Sequence, residues 1–230
     1  KTTATGDTAL DGTVHNTGTI SVNSGSVSVG GGGTNSGTIN VASGATFALT
    51  GGNFTFNSGS LINGAGTVQV SGGTTTFSGA NTGSASVGIS GSGTATFNGN
   101  TTTTGGGAIS AGTLNGTGTL TLGAPLTISG GDLRGTGTLT ANGGANLTGN
   151  VSLHDGQTLS LAGNSTWSGG TLYTGTGAIL NNSGVLTNTA NTSFYNYYGG
   201  TKLTFNNSGT FIKTTATGDT ALDGTVHNTG

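Results

Sequence analysis

The chain has 230 residues, of which 4% are charged and 50 are glycine, with a formal net charge of −2. Ordinary domains devote about a quarter of their residues to charge; this one has no basic stripe for a phosphate backbone, which argues against a nucleic-acid partner. No run of about 18 apolar residues is present to insert in a bilayer, and the lack of cysteine removes disulfides and thiolate metal sites.

The opening segment 1–18, KTTATGDTALDGTVHNTG, recurs unchanged as 213–230. Segments that drift apart within one fold keep core positions and lose the rest. These two agree at every polar position as well, which points to recent duplication. The expectation is a tandem array, with 1–212 as one β-solenoid unit and 213–230 as the start of the next identical unit. Identical stacking further predicts that the unit 1–212 makes a whole number of rungs, with Leu222 and Val226 repeating Leu10 and Val14 after a pure screw. Within the first copy Asp7, Asp11 and His15 are spaced by four. The surrounding Gly, Thr and Val disfavour a helical face, so polar turn residues are the preferred reading over a ligand trio.

From Gly18 onward the pattern Gly-Thr-apolar-x-apolar returns as GTISV (18–22), GTINV (37–41), GTVQV (66–70), GTATF (93–97) and GTLTL (118–122). Alternation with period two describes a strand with one buried face. Ile20 and Ile39 are 19 apart, Phe56, Phe77 and Phe97 are 21 and 20 apart, and Leu120, Leu139, Leu159 and Ile179 are 19, 20 and 20 apart. A period near 20 is one coil of a solenoid. It also argues against a flexible linker, which the Gly, Ser, Thr and Asn content alone would allow. The fold class expected is all-β: a right-handed parallel β-helix of about ten rungs per 212-residue unit, roughly 50 Å long at a strand spacing of about 4.8 Å. Four Asn-x-Gly corners, at Asn16, Asn35, Asn182 and Asn207, precede strands; asparagine there tolerates left-handed backbone and offers its amide to the asparagine above. The wide gap between Gly37 and Gly66 suggests a longer rung or an extra loop.

The phrases NSGTI (35–39), NGTGTLTL (115–122) and SGGDLRGTGTLT (129–140) resemble the right-handed parallel β-helix stalks of large secreted bacterial surface proteins, the filamentous-haemagglutinin-like and autotransporter-like adhesins. The resemblance implies an extracellular or cell-surface location and a structural or adhesive role. It carries no site, since these phrases encode rungs and turns.

Few groups could do chemistry. Asp132 and Arg134 share a strand face and suit an exposed ion pair. His154 and Asp155 are adjacent and, in a strand, would point apart. The calcium-binding Gly-Gly-x-Gly-x-Asp repeat is missing, so no obligatory calcium is expected, and with so few groups placed to converge no catalytic, cofactor or metal residues are assigned. Aromatic residues gather at STWSGGTLYTG (165–175) and SFYNYYGG (193–200); Trp167, Tyr173, Tyr195, Tyr197 and Tyr198 form a candidate glycan or fibre-contact surface, with Tyr195 and Tyr197 on one strand face and Tyr198 on the other. Outward Thr pairs at Thr94/Thr96, Thr119/Thr121 and Thr138/Thr140 have the spacing of ice-binding faces, though threonine is also an ordinary strand residue.

The function expected is a non-enzymatic extracellular stalk or fibre, with identical repeats head to tail as partners and lateral fibre or glycan contacts in addition. A carbohydrate-binding β-helix module is the alternative, ahead of a polysaccharide-active enzyme or an ice-binding protein.

Overall fold

The computed structural model describes residues 1–2, 5–214 and 217–230. Short strands alternate with tight corners, and every third strand stacks in parallel on its predecessor, giving three 11-stranded parallel sheets. The sheets are the three walls of a solenoid, whose first rung consists of Asp7–Leu10 on the first wall, Val14–Asn16 on the second and Thr19–Val22 on the third. No helix occurs among the described residues. The architecture is therefore the all-β parallel solenoid expected, with about eleven turns among the described residues.

Pairing follows the period read from the sequence. On the first wall Asp7 meets Ser26, Ser26 meets Thr46 and Thr46 meets Thr67, in steps of nearly equal length. Alternation along each strand sends one residue in and the next out, as in Thr138–Ala141, where Leu139 and Ala141 are buried and both threonines are partly exposed. The core is thus a stack of like on like. Phe56, Phe77 and Phe97 lie one above another with ring centroids 4.7 and 4.4 Å apart, and Leu120, Leu139 and Leu159 are successive partners on the third wall. The leucine series then departs from the expected spacing. Leu159 meets Leu180, not Ile179, because the corner between Trp167 and Leu172 is one residue longer than the corner beneath it, between Leu147 and Val151.

The corners hold two features. At Asn16 the side-chain amide donates to Gly18 O (3.2 Å), to Asn35 Oδ1 (2.6 Å) and to Thr38 O (3.2 Å). Asn182 repeats this set with Gly184 O (3.3 Å), Asn207 Oδ1 (2.6 Å) and Thr210 O (3.1 Å). The amide ladder expected from the sequence is present, but none of these asparagines is left-handed; among the described non-glycine residues only Asp155 and Thr176 have positive φ, at 58° and 48°. The glycine two places on is required by close approach. A Cβ at Gly37 or Gly209 would overlap the carbonyl oxygen of Gly18 or Gly184 directly beneath.

The gap between Gly37 and Gly66 holds no separate loop. Thr38–Val41 is on the third wall of the second rung, and Thr67–Val70 on the first wall of the fourth, so the gap is one rung plus one wall. That rung is modestly lengthened where Thr38 steps to Leu61, the excess falling in the corner before Leu61–Asn63. The same kind of step carries the Gly-Thr phrase from Thr67–Val70 to Thr94–Phe97 on the second wall and to Thr119–Leu122 on the third. The longest steps lie elsewhere: Ser193 to Ala221 on the second wall is the widest, and Ile179 to Thr204 and Val185 to Thr210 are the widest on the other two walls, all three spanning the inserted residues 196–202.

Candidate functional site

Along the second wall one outward column runs Thr74, Thr94, Thr113, Asp132, Ser152, Tyr173, Tyr195, each the partner of the next. Strand alternation sets their common direction. The column passes from threonines through a charged corner to an aromatic ridge, and the inserted residues 196–202 fold back over that corner. Backbone bonds fix this segment: Tyr198 N–H donates to Thr174 O (3.0 Å), Thr176 N–H to Gly199 O (2.9 Å) and Gly177 N–H to Thr201 O (2.8 Å).

Four tyrosines form the ridge. Tyr173 packs edge-on against Tyr195 and Tyr197 with centroids 6.2 and 5.5 Å away, and Tyr197 meets Tyr198 at 5.1 Å. Tyr195 and Tyr197 are 53% and 64% exposed. Tyr198 lies back along the wall, so the division of tyrosines between two strand faces does not hold; the strand ends at Tyr195, and the next residues belong to the loop. The Tyr198 ring stacks on His154 at 3.9 Å and its hydroxyl donates to Ser152 Oγ at 2.8 Å. An open cleft of about 320 Å³ lies between Ser152, Tyr173, Tyr197 and Tyr198. Trp167 is not part of this surface. It is 1% exposed and stacks on Phe194 inside the solenoid, because Ser165 and Trp167 take the inward positions of their strand and Thr166 the outward one.

His154 and Asp155 converge, contrary to the strand-based expectation. They sit in a corner, where left-handed backbone at Asp155 turns its carboxylate back to His154 Nδ1 (3.1 Å), while Nε2 faces Asp132 Oδ1 (2.7 Å). Both contacts are full hydrogen bonds only when both ring nitrogens carry protons. Asp132 also reaches Arg134 Nη1 at 3.7 Å, the ion pair expected from their spacing. The Thr176 hydroxyl donates to Asp155 Oδ1 (3.0 Å). Nothing in the sequence singles out Ser152 or Thr176, but the turn dipeptide Asp155-Gly156 is the signal from which the corner could have been read.

These bonds hold the Asp155 carboxyl below the usual aspartate range, chiefly through His154, with desolvation opposing and Thr176 assisting. Because the folded value is depressed, its stabilisation is present above the unfolded pKa, about 3.9, and is lost as pH falls through the folded value. Asp7, bonded to Ser26 and Ser28, and Asp223, bonded to Lys202, shift the same way. The unfolding midpoint is therefore expected to fall between pH 5 and pH 3, and to fall less in Asp155→Asn. Half-exposed groups make this a shift of a few degrees at most, readable by circular dichroism melts at the two pH values.

The other candidates do not assemble. Asp7 lies on the first wall and His15 on the second, where its Nδ1 meets Thr34 Oγ1 at 2.9 Å. Among the described residues no three His, Cys, Asp or Glu side chains are grouped to hold a metal ion. The Thr-x-Thr pairs are split, Thr94/Thr96 on the second wall and the other two on the third. What the site offers is flat ring faces bordered by hydroxyls and a tethered imidazole, an arrangement suited to contact with amphipathic ligands. Comparison with protein-family models, with curated proteins and with solved structures finds no match to this chain.

Proposed function

We propose that the chain is part of a stiff extracellular fibre or stalk, of the kind seen in filamentous-haemagglutinin-like and autotransporter-like adhesins, assembled from tandem copies that stack head to tail. The observation that carries this reading is the last rung. The segment that opens the first rung also builds the eleventh: Lys213 ends a strand paired to Asn188, Leu222 pairs with Phe194, and Val226 pairs with Phe205, so the duplicated segment stacks directly on a rung of the preceding unit. One copy is thereby a cover for the strand groups and apolar side chains of another. Electron microscopy and fibre diffraction of native material, or of tandemly joined copies of 1–212, are expected to give straight rods with an axial spacing of about 4.8 Å. Flexible strings of separate beads would overturn the reading.

A second reading, surface glycan contact, is favoured by the cleft between Ser152 and the tyrosines. On a glycan array the chain is expected to bind through this ridge, and the double variant Tyr195→Ala/Tyr197→Ala to lose that signal. Its unfolding free energy should stay within about 0.5 kcal/mol of the parent, as for other surface substitutions. Retained binding in the double variant would remove the ridge from consideration.

A further inference from the structure

We propose that each copy of 1–212 advances the solenoid by ten rungs and one wall, so that successive copies are turned by roughly a third of a revolution about the axis. The proposal rests on the tandem-array reading and fixes the geometry of its joints.

Three parts of the duplicated segment give the same displacement. Lys1 pairs with the third wall, its amino group donating to Ser21 O (2.9 Å) and its carbonyl accepting from Asn23 N–H (3.0 Å); its copy Lys213 ends a first-wall strand opposite Asn188. Leu10 is on the first wall of rung one, and Leu222 on the second wall of rung eleven, opposite Phe194. Val14–Asn16 is on the second wall, and the copied Val226, His227 and Asn228 are on the third, opposite Phe205, Asn206 and Asn207. The whole-number relation expected from the sequence is thus replaced by ten rungs and a third.

The asparagine corners explain why the copy takes the next wall. Asn16 and Asn35 form their ladder at the corner between the second and third walls, whereas Asn182 and Asn207 form theirs between the third and the first. Docked in phase, the next copy would place its asparagine pair away from the ladder below. Advanced by one wall, Asn228 accepts from Asn207 Nδ2 at 2.6 Å, continuing the donor direction Asn182 to Asn207. The equivalent of Asn35 then extends the ladder by one more member. The two corners share one set of amide bonds and one close glycine contact, so either accepts the other's sequence. Leaving them unjoined would strand amide groups that have partners here, and this selects the register that joins them. The walls are otherwise interchangeable: the Gly-Thr phrase occupies all three within this chain.

The tyrosine ridge then regains the same face only after three copies, about 150 Å at the strand spacing. A ridge appears about every 50 Å, each facing a different side, so lateral partners can engage the fibre from three directions.

The chain contains no cysteine, which permits a direct test. Asn206 and His227 are outward partners on the third wall, and adjacent strands about 4.8 Å apart lie within disulfide range. Asn206→Cys/His227→Cys is expected to cross-link nearly completely on mild oxidation, joining tryptic peptides 203–213 and 214–230. Tyr195→Cys/Thr225→Cys, the pair that in-phase stacking would bring together because the Tyr195 column descends through Thr74 and Asn53 to the position just before Val14, is expected to give only traces. The reverse result would overturn the third-of-a-turn joint and keep the array; no cross-link in either would mean that the duplicated segment does not stack, and the array reading would fail with it. Cryo-electron microscopy of three joined units supplies the second readout. A continuous rod with the ridge turned by a third per unit supports the joint, and a rod with all ridges on one face overturns it.

Discussion

Leu139→Asp is expected to unfold much of the solenoid, whereas Thr138→Asp, one residue away, should leave it folded. Leu139 is 0% exposed and sits between Leu120 and Leu159 in the third-wall ladder, while Thr138 faces outward in the same strand. An unpaired carboxylate inside this column must either stay charged at a cost of several kcal/mol or take up a proton. It has no partner, because the neighbouring inward residues are aliphatic. Since each rung contacts only its neighbours, the defect also breaks the coupling between the rungs below and above. Denaturant unfolding followed by circular dichroism should show a loss of at least about 3 kcal/mol for the first variant and less than about 1 kcal/mol for the second. Equal losses would mean that the inward and outward faces are wrongly assigned.

Phe77→Ala should be nearly as damaging. Its ring lies between Phe56 and Phe97, at interplanar angles of 1° and 7°. Truncation removes two stacked contacts and opens a void in walls that cannot collapse, because hydrogen-bonded strands hold the rungs at fixed spacing. Phe→Ala in cores costs about 3–5 kcal/mol, and incomplete relaxation puts this site toward the upper end. Phe77→Leu should recover roughly half of that loss, since most of the volume returns without the stacking. A cost below about 1 kcal/mol for the alanine variant would show that the aromatic column is not what holds these rungs together.

How far the sequence went is clearest at particular residues. Phe56, Phe77 and Phe97 announced their stack through spacing alone, because the rungs there return at a nearly constant interval and inward side chains repeat with them. Leu180 was concealed behind Ile179, since one additional corner residue shifts the alternation by one and both side chains are aliphatic. The gap between Gly37 and Gly66 reads as an insertion only if the Gly-Thr phrase marks a single wall, whereas corners of similar length let it serve any wall. Trp167 resembled a surface residue only by company: the alternation in Ser165–Trp167 already paired it with an inward serine. The charged corner was lost for another reason. Opposite faces for adjacent residues is a strand rule, and Asp155 is in a turn, where left-handed backbone cancels it. The cleft needed Ser152, Tyr173, Tyr197 and Tyr198 together, and only the stacking of rungs brings them to one place.

The stacking of rungs along a single axis also determines how such a rod would bear load. Tension applied between its ends falls on one inter-rung seam at a time, because the strands lie across the axis and their hydrogen bonds along it. Each seam that opens frees one coil, roughly 70 Å of extended chain at about 3.3–3.6 Å per residue, in place of one strand spacing. Extension would therefore proceed at a nearly steady force, coil by coil from the terminal seam, so that a tether of this construction limits the pull on whatever it holds instead of snapping at a threshold.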